Sequence, residues 1–272
     1  MNDLTIPVDL DGPRVIYDLD FDEYRAIDAI NASGLKLLER SPAHFQQARL
    51  EPHAPTAAQA LGTLTHLAIL EWDRYQALVR VAPDVDRRTK LGKETAAAFD
   101  AECAEIGAIV ATAEQDQKAR AMRDRVMDQP FARALLADGA SEVTLLWQDP
   151  ETGLDCKARL DWLCGGHEVI ADIKTCSSAA EWDFRQAARR YDYAIQSVHY
   201  IEGARHTGLG ERQFILIAIA SDPPLGVQLF SFDEPTLHAA RVRRERAMQR
   251  YLECVETGQW PAYPIEIAQI GW

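Results

Sequence analysis

An α/β domain with a helical N-terminal part is the architecture this sequence predicts, and three features predict it. The first half carries Ala- and Leu-rich stretches with helical spacing of apolar residues, punctuated by caps and prolines. From about residue 142, short segments of alternating composition appear between turn residues, followed by further helical stretches. No repeat, low-complexity tract or long Pro/Gly/Ser linker divides the 272 residues. The expected organisation is an acidic arm over 1–28 and one domain over 29–272. Within that domain the helical part covers about 29–140, the α/β core about 141–258, and a tail 259–272.

Ser33 can cap a first helix whose apolar face begins at Leu35, Leu37 and Leu38. Ser41-Pro42 ends it and starts another through Phe45, since Pro fits a first helical turn and not an interior. A third helix fits Thr56 to about Glu71 and carries Gly62 and His66 one turn apart. Residues 83–93 read as a basic loop. Helices fit 94–111 and 113–137, the second with Met122, Val126 and Met127 on one face. A strand fits 142–148, a turn 149–153, and a strand of alternating side chains 156–163. Gly165-Gly166 turns the chain into a strand over 167–174. Helices at 178–190 and 192–206 and strands at 213–220 and 226–232 follow. Asp222-Pro223-Pro224 splits those two strands, and a long helix over 234–257 ends the order.

The net charge is −13, so bulk charge will not hold this chain on nucleic acid or an anionic membrane; a polyanion must meet a local basic patch. Eight acids crowd residues 1–28, a solvated arm or, alternatively, a strand-mimicking or autoinhibitory one. Five scattered cysteines without a C-x-x-C pair read as free thiols, which disfavours a zinc ribbon or an iron–sulfur cluster. No apolar run reaches the roughly 18 residues of a membrane span, and the first residues lack signal-peptide features. A cytoplasmic location without membrane partners is expected.

The chemistry concentrates between residues 142 and 174. Strand geometry sends Lys157, Arg159 and Asp161 to one side and Ala158, Leu160 and Trp162 to the other. A hairpin centred near 165–167 sets Asp161 almost opposite Asp172, with Lys174 on the face of Asp172. Two carboxylates at such range repel unless a cation separates them or one takes a proton. Hard divalent cations such as Mg²⁺ want oxygen ligands and suit phosphodiester hydrolysis. Lys174 can orient the attacking water or neutralise charge developing on phosphorus. Glu142 is a third candidate carboxylate. Lys157 and Arg159, with Arg87, Arg88, Lys90 and Lys93 of the basic loop, are candidate phosphate contacts.

Asp161 followed by Asp172-Ile173-Lys174 resembles the PD-(D/E)XK nuclease superfamily, with its central mixed β-sheet flanked by helices. More specifically, the chain resembles the exodeoxyribonuclease VIII (RecE-type) branch of phages and prophages. The likeness rests on Ser33-x-Leu35-Lys36, Ser41-Pro42-x-His44-Phe45, Gly62-x-x-x-His66, Asp86 to Lys93, Thr152-Gly153, Lys157-x-Arg159-x-Asp161 and Gln196-x-x-x-Tyr200. It spans roughly residues 17–232. The resemblance implies that Asp161, Asp172, the Ile173 carbonyl and His66 hold Mg²⁺, for which Mn²⁺ can substitute, and that Lys174 is catalytic. It implies that Glu142 holds a metal-bound water or a second metal, and that Gln196 and Tyr200 position the site or the DNA end. The implied activity is digestion of linear double-stranded DNA from 5′ ends, leaving 3′ tails for a single-strand annealing protein in recombination. A homo-oligomeric ring around the duplex would reconcile the acidic net charge with DNA binding. The alternatives are a RecB-like endonuclease or single-strand nuclease, and a non-catalytic DNA-binding or scaffold protein.

Overall fold

Two fully antiparallel hairpins set the frame of the molecule, a computed structural model that describes residues 12–51 and 56–263. Strands β4 (Gly139–Gln148), β5 (Asp155–Cys164) and β6 (Val169–Cys176) follow one another through the expected turns. In the first turn Gly153 has φ 69° and its N–H donates to the Asp149 carbonyl, the left-handed position that glycine tolerates best. Strand β7 (Gln213–Ala220) lies parallel to β6, which requires a crossover. Helices α9 (Glu181–Arg190) and α10 (Tyr193–His206) supply it. Strand β8 (Val227–Phe230) closes one edge, and β1 (Arg14–Ile16) the other, in the order β1-β4-β5-β6-β7-β8.

The sheet is covered on both faces. On one, α2 (Ala32–Arg40), α10 and α11 (Glu234–Thr257) pack over Leu145, Trp147, Leu160, Ile170 and Leu216. A Cβ on Gly203 would fall 2.7 Å from the Trp147 ring, so this glycine lets α10 lie close on β4. On the other face Ile173, Ile217 and Ile219 meet Ile69, Met122 and Val126. These come from α4 (Ala57–Leu70) and α7 (Ala113–Asp128). A separate core of Leu64, Leu67, Tyr75 and Val79 joins α4 to α5 (Trp72–Leu78) and a small parallel pair, β2 (Val79–Val81) and β3 (Ile109–Ala111).

Several boundaries differ from the sequence reading. Asn31, not Ser33, caps α2, accepting from Gly34 N at 2.8 Å. Ser41 and Pro42 start α3 (Pro42–Leu50) as expected. The basic loop ends early, because Thr89 caps α6 (Lys90–Ile106) and puts Lys90 and Lys93 in its first turn. Gly107, left-handed at φ 62°, stops α6 before β3, so the expected helix over 94–111 overshoots. Pro130 splits the expected 113–137 helix and opens α8 (Pro130–Leu135). Strands β2 and β3 have three residues each, too few to show a period. The expected acidic arm is folded in its described half, where β1 pairs with β4 and α1 (Phe21–Ala26) buries Tyr24. Residues 1–11 of the arm and 264–272 of the expected tail lie outside the described residues. Among the described residues no helix is long and apolar enough to cross a membrane.

Candidate active site

The sheet opens into a fork at the residues singled out by the sequence. Strands β5 and β6 pair only at Trp162↔Ala171 and Leu163↔Ile170 and then part. On the other side of β5, the ladder to β4 runs through Ser141↔Trp162 and Val143↔Leu160 and skips Glu142 and Asp161 between them. Glu142 has φ 54°, a left-handed conformation that costs a residue with a side chain about 1–3 kcal/mol. The interruption breaks the alternation. Trp162, expected beside Ala158 and Leu160, instead packs on the face of Met122 and Ile173. Where β6 departs, Ile30 takes its place on β5: Ile30 N donates to Asp155 O and Lys157 N to Ile30 O, both at 2.8 Å.

Asp161 and Asp172 meet at this fork. Asp161 Oδ2 accepts from Ile173 N at 2.8 Å, and His66 Nδ1 on α4 stands 3.4 Å from the same oxygen. Asp172 is fully buried. Its Oδ1 accepts from Gln196 Nε2 at 2.7 Å, while Oδ2 faces the Lys174 ammonium as an ion pair and no hydrogen-bond donor of regular geometry reaches it. Burial, and then the Asp172 charge, push the Asp161 carboxyl well above the ordinary range. Burial disfavours the Lys174 ammonium, but the Asp172 and Asp161 carboxylates outweigh it and hold Lys174 above the ordinary lysine value. Burial, and then the Lys174 charge, lower His66, which keeps its imidazole neutral. Gly62, one turn before His66, lets α4 approach β6: a Cβ there would lie 3.4 Å from Thr175 Oγ1.

A second lysine shares this corner. Lys36 Nζ lies 5.3 Å and Lys174 Nζ 5.1 Å from the centroid of the Tyr193 ring. Burial, and then Lys174, push Lys36 down to about 8. Lys36 carries no role by the family pattern alone; its signal in the sequence is a lysine between Leu35 and Leu37 of an apolar helix face. Tyr200, one turn beyond Gln196, lies edge-on to Phe214 at 5.9 Å and faces a cleft of about 410 Å³ at the fork. Burial raises its phenol pKa, with the charges of Asp172 and Asp161 among the further causes. Asp161, Glu142 and Arg159 line the same cleft, as do Phe21 and Tyr24 of α1.

The expected phosphate contacts fare differently. Lys157 is only 5% exposed, and its Nζ donates to Tyr24 O at 2.8 Å and Ile27 O at 2.7 Å. It terminates α1 by satisfying carbonyls the helix leaves unpaired, and has no ammonium to offer a phosphate. Arg159 is tied as well, to the Glu142 carboxylate and to Leu19 O at 2.8 Å. Glu142 therefore enters the site already neutralised. Arg87, Arg88, Lys90 and Lys93 are exposed, outside the residues lining the cleft. Arg87 pairs with Asp100 at 3.5 Å and Arg88 with Asp86 at 3.0 Å.

Among the described residues no group of three or more His, Cys, Asp and Glu is assembled to hold a metal ion. The donor chemistry at the fork nevertheless fits a hard divalent cation. Two carboxylates act on one another, one buried oxygen of Asp172 is met only by the Lys174 ammonium, and a neutral imidazole stands beside Asp161.

A mixed sheet with acids at a strand fork, followed by Asp-x-Lys on the next strand, defines a PD-(D/E)XK nuclease fold. The chain belongs to the family described as PDDEXK-like domain of unknown function (DUF3799), whose model matches residues 31–270. A crystal structure of a "putative exonuclease" from Eubacterium rectale superposes with a TM-score of 0.63. It is 15% identical, over 89% of this chain and 88% of that one, a likeness of fold. A phage related exonuclease from Haemophilus somnus aligns over 85% of this chain and 96% of that one, at 11% identity and a TM-score of 0.29. No curated protein matches the chain.

Proposed function

We propose that this nuclease domain is a Mg²⁺-dependent exodeoxyribonuclease of the RecE type. On this reading it degrades linear double-stranded DNA from 5′ ends and leaves 3′ tails for a single-strand annealing partner in recombination. The observation that supports it is the pair Asp161 and Asp172 at the strand fork, with Lys174 against Asp172.

Asp161, Asp172, the Ile173 carbonyl and His66 would hold the cation, and Mn²⁺ could replace Mg²⁺. A bound divalent ion supplies Lewis acidity toward a phosphate oxygen and lowers the pKa of water. The remaining work falls to the chain. Gln196 fixes the Asp172 carboxylate through Oδ1, which leaves Oδ2 for the ion or for Lys174. Lys174, held charged by its two acidic neighbours, meets the negative charge that builds on phosphorus. Lys36, across the Tyr193 ring, adds a second positive charge to that side. Glu142 orients Arg159, and Tyr200 lines the approach to Asp161. Assembly as a ring, with a basic channel inside an acidic exterior, belongs to this reading.

The test incubates linear and covalently closed circular duplexes with wild type and Asp172→Ala in Mg²⁺, Mn²⁺ or Ca²⁺. Wild type should consume only linear DNA, in Mg²⁺ and Mn²⁺, and Asp172→Ala should consume neither substrate. End-labelling of the surviving strand reads the polarity. Cleavage of closed circles would make the protein an endonuclease, and inertness toward every substrate would leave a scaffold.

A further inference from the structure

The cleft at the fork has a wall that the hydrolytic chemistry does not use. Opposite Asp161 and Glu142 stands α1, whose Phe21 side chain is 56% exposed although it lines the same cleft. The ring therefore offers apolar surface beside charged groups. The Phe21 ring lies 6.5 Å from that of Tyr24, at an interplanar angle of 21°, so the pair forms a shallow aromatic step. Two guanidinium groups flank it, Arg25 at 5.9 Å and Arg159 at 5.7 Å from the Phe21 centroid.

The step is also rigid. Asp20 caps the start of α1 by accepting from Asp22 N at 2.7 Å, and Lys157 closes its end through the Tyr24 and Ile27 carbonyls. Arg159 ties the preceding Leu19 carbonyl to the strand that carries Asp161. Lys157 and Arg159 thus hold a six-residue helix, too short to be stable alone, at a fixed place beside the acids.

We infer that Phe21 is a base-stacking platform: one unpaired nucleobase of the substrate strand rests on its ring while the adjoining phosphate lies at Asp161 and Asp172. The cleft of about 410 Å³ falls within the roughly 300–1,000 Å³ of small-ligand sites, which suits one splayed nucleotide. Aromatic rings stack every base without sequence preference, and the Arg25 guanidinium beside the ring answers an adjoining phosphate. This inference rests on the nuclease reading and adds that the strand must leave its partner before it is cut. Phe21 is a positioning residue, since the ring touches the base and not the reacting phosphate.

Binding in Ca²⁺, followed by fluorescence anisotropy, tests it with a single-stranded oligonucleotide and with the same oligonucleotide made abasic at its ends. Phe21→Ala should weaken binding of the intact oligonucleotide about 5- to 150-fold, the range that loss of one stacked base produces. Phe21→Trp should restore it to within about twofold of wild type, as stacking tolerates any aromatic ring. The abasic oligonucleotide should bind wild type and Phe21→Ala alike, a coupling that a merely structural role would not create. Equal binding of the intact oligonucleotide by wild type and Phe21→Ala would overturn the platform and leave the nuclease reading standing. So would a failure of Phe21→Trp to restore binding, or an equal loss on the abasic oligonucleotide. Absence of nucleic-acid binding in wild type, by contrast, would overturn both.

Discussion

Strand β5 and helix α10 build two buried polar clusters about one helical turn apart, and the two obey opposite rules. At one end, Lys157 and His199 belong to a closed network. Arg244 donates to Asp149 at 2.9 Å and to His199 Nδ1 at 3.3 Å, and His199 Nε2 is left to donate to Lys157 O at 3.1 Å. Asp149 also accepts from Thr152 N and Oγ1, so burial is outweighed and its carboxyl stays below the ordinary range. Asp149 and Arg244 are each other's counter-charge, and backbone carbonyls hold the Lys157 ammonium. At the other end, Asp161 and Gln196 belong to a cluster of unbalanced charges: Lys174 pairs with Asp172, the Asp172 charge opposes ionisation of Asp161, and two lysines crowd one tyrosine. A satisfied network holds an architecture together, whereas an unsatisfied one stores a demand that a ligand can meet.

Removing a charge from each cluster should separate these roles. Asp161→Asn keeps an oxygen for Ile173 N and removes the repulsion from Asp172. It should lower cleavage by more than about a thousandfold, in the range of essential active-site groups, while the melting temperature without divalent cations rises. Arg244→Ala should do the reverse. It strands Asp149 in the interior and should destabilise the fold by about 3–5 kcal/mol, with activity per folded molecule unchanged. Chemical denaturation and single-turnover cleavage measure the two axes. If Arg244→Ala also abolished turnover while folded, the clusters would not be independent.

Acid should expose the closed network. Burial, then Arg244, press His199 down to about 3, far below the 6.5 or so of an unfolded histidine. Below about pH 6.5 the unfolded chain takes up a proton that the native ring refuses, so stability is complete above that value and declines as pH falls toward 3. Between pH 6.5 and 5 the contribution amounts to about 2 kcal/mol, at about 1.4 kcal/mol per unit. His199→Gln should remove that slope from thermal unfolding curves recorded across the window. An unchanged slope would mean that His199 is already protonated in the fold.

The two clusters were not equally legible in the sequence. Asp161, Asp172 and Lys174 announce themselves because an acid inside an apolar strand needs a reason, and hairpin spacing brings them to one place; Gln196 is legible only through the resemblance to the nuclease family. The closed network is invisible in the sequence: Asp149 falls in an expected turn, and no local pattern marks Arg244 or His199. Their partners come from residues 45 to 95 positions apart, a separation that no local period reports. The same blindness misassigned Lys157. Alternation correctly put it beside Arg159, yet only α1, folded from an acidic stretch read as solvated, revealed that its ammonium is spent on carbonyls. The reversal of side-chain direction at Trp162 accompanies the break in the β4–β5 ladder at Glu142 and Asp161, which composition does not signal.

The smallest expected effect concerns the cations that belong to neither cluster. Arg87, Lys90 and Lys93 are exposed, and the partners of Arg87 and Lys90 lie at 3.5 and 3.9 Å, so little of the fold depends on them. Changing all three to Gln should leave the melting temperature where it is. If they meet the DNA backbone, each lost phosphate contact should reduce the slope of log affinity against log salt by about one, without altering the turnover of bound substrate. A salt slope equal to wild type would remove α6 and its preceding loop from the interface. Lys174 and Lys36 at the fork and Arg25 in the cleft would then have to carry the contact alone, and the electrostatics of substrate binding would reduce to those around the open cluster.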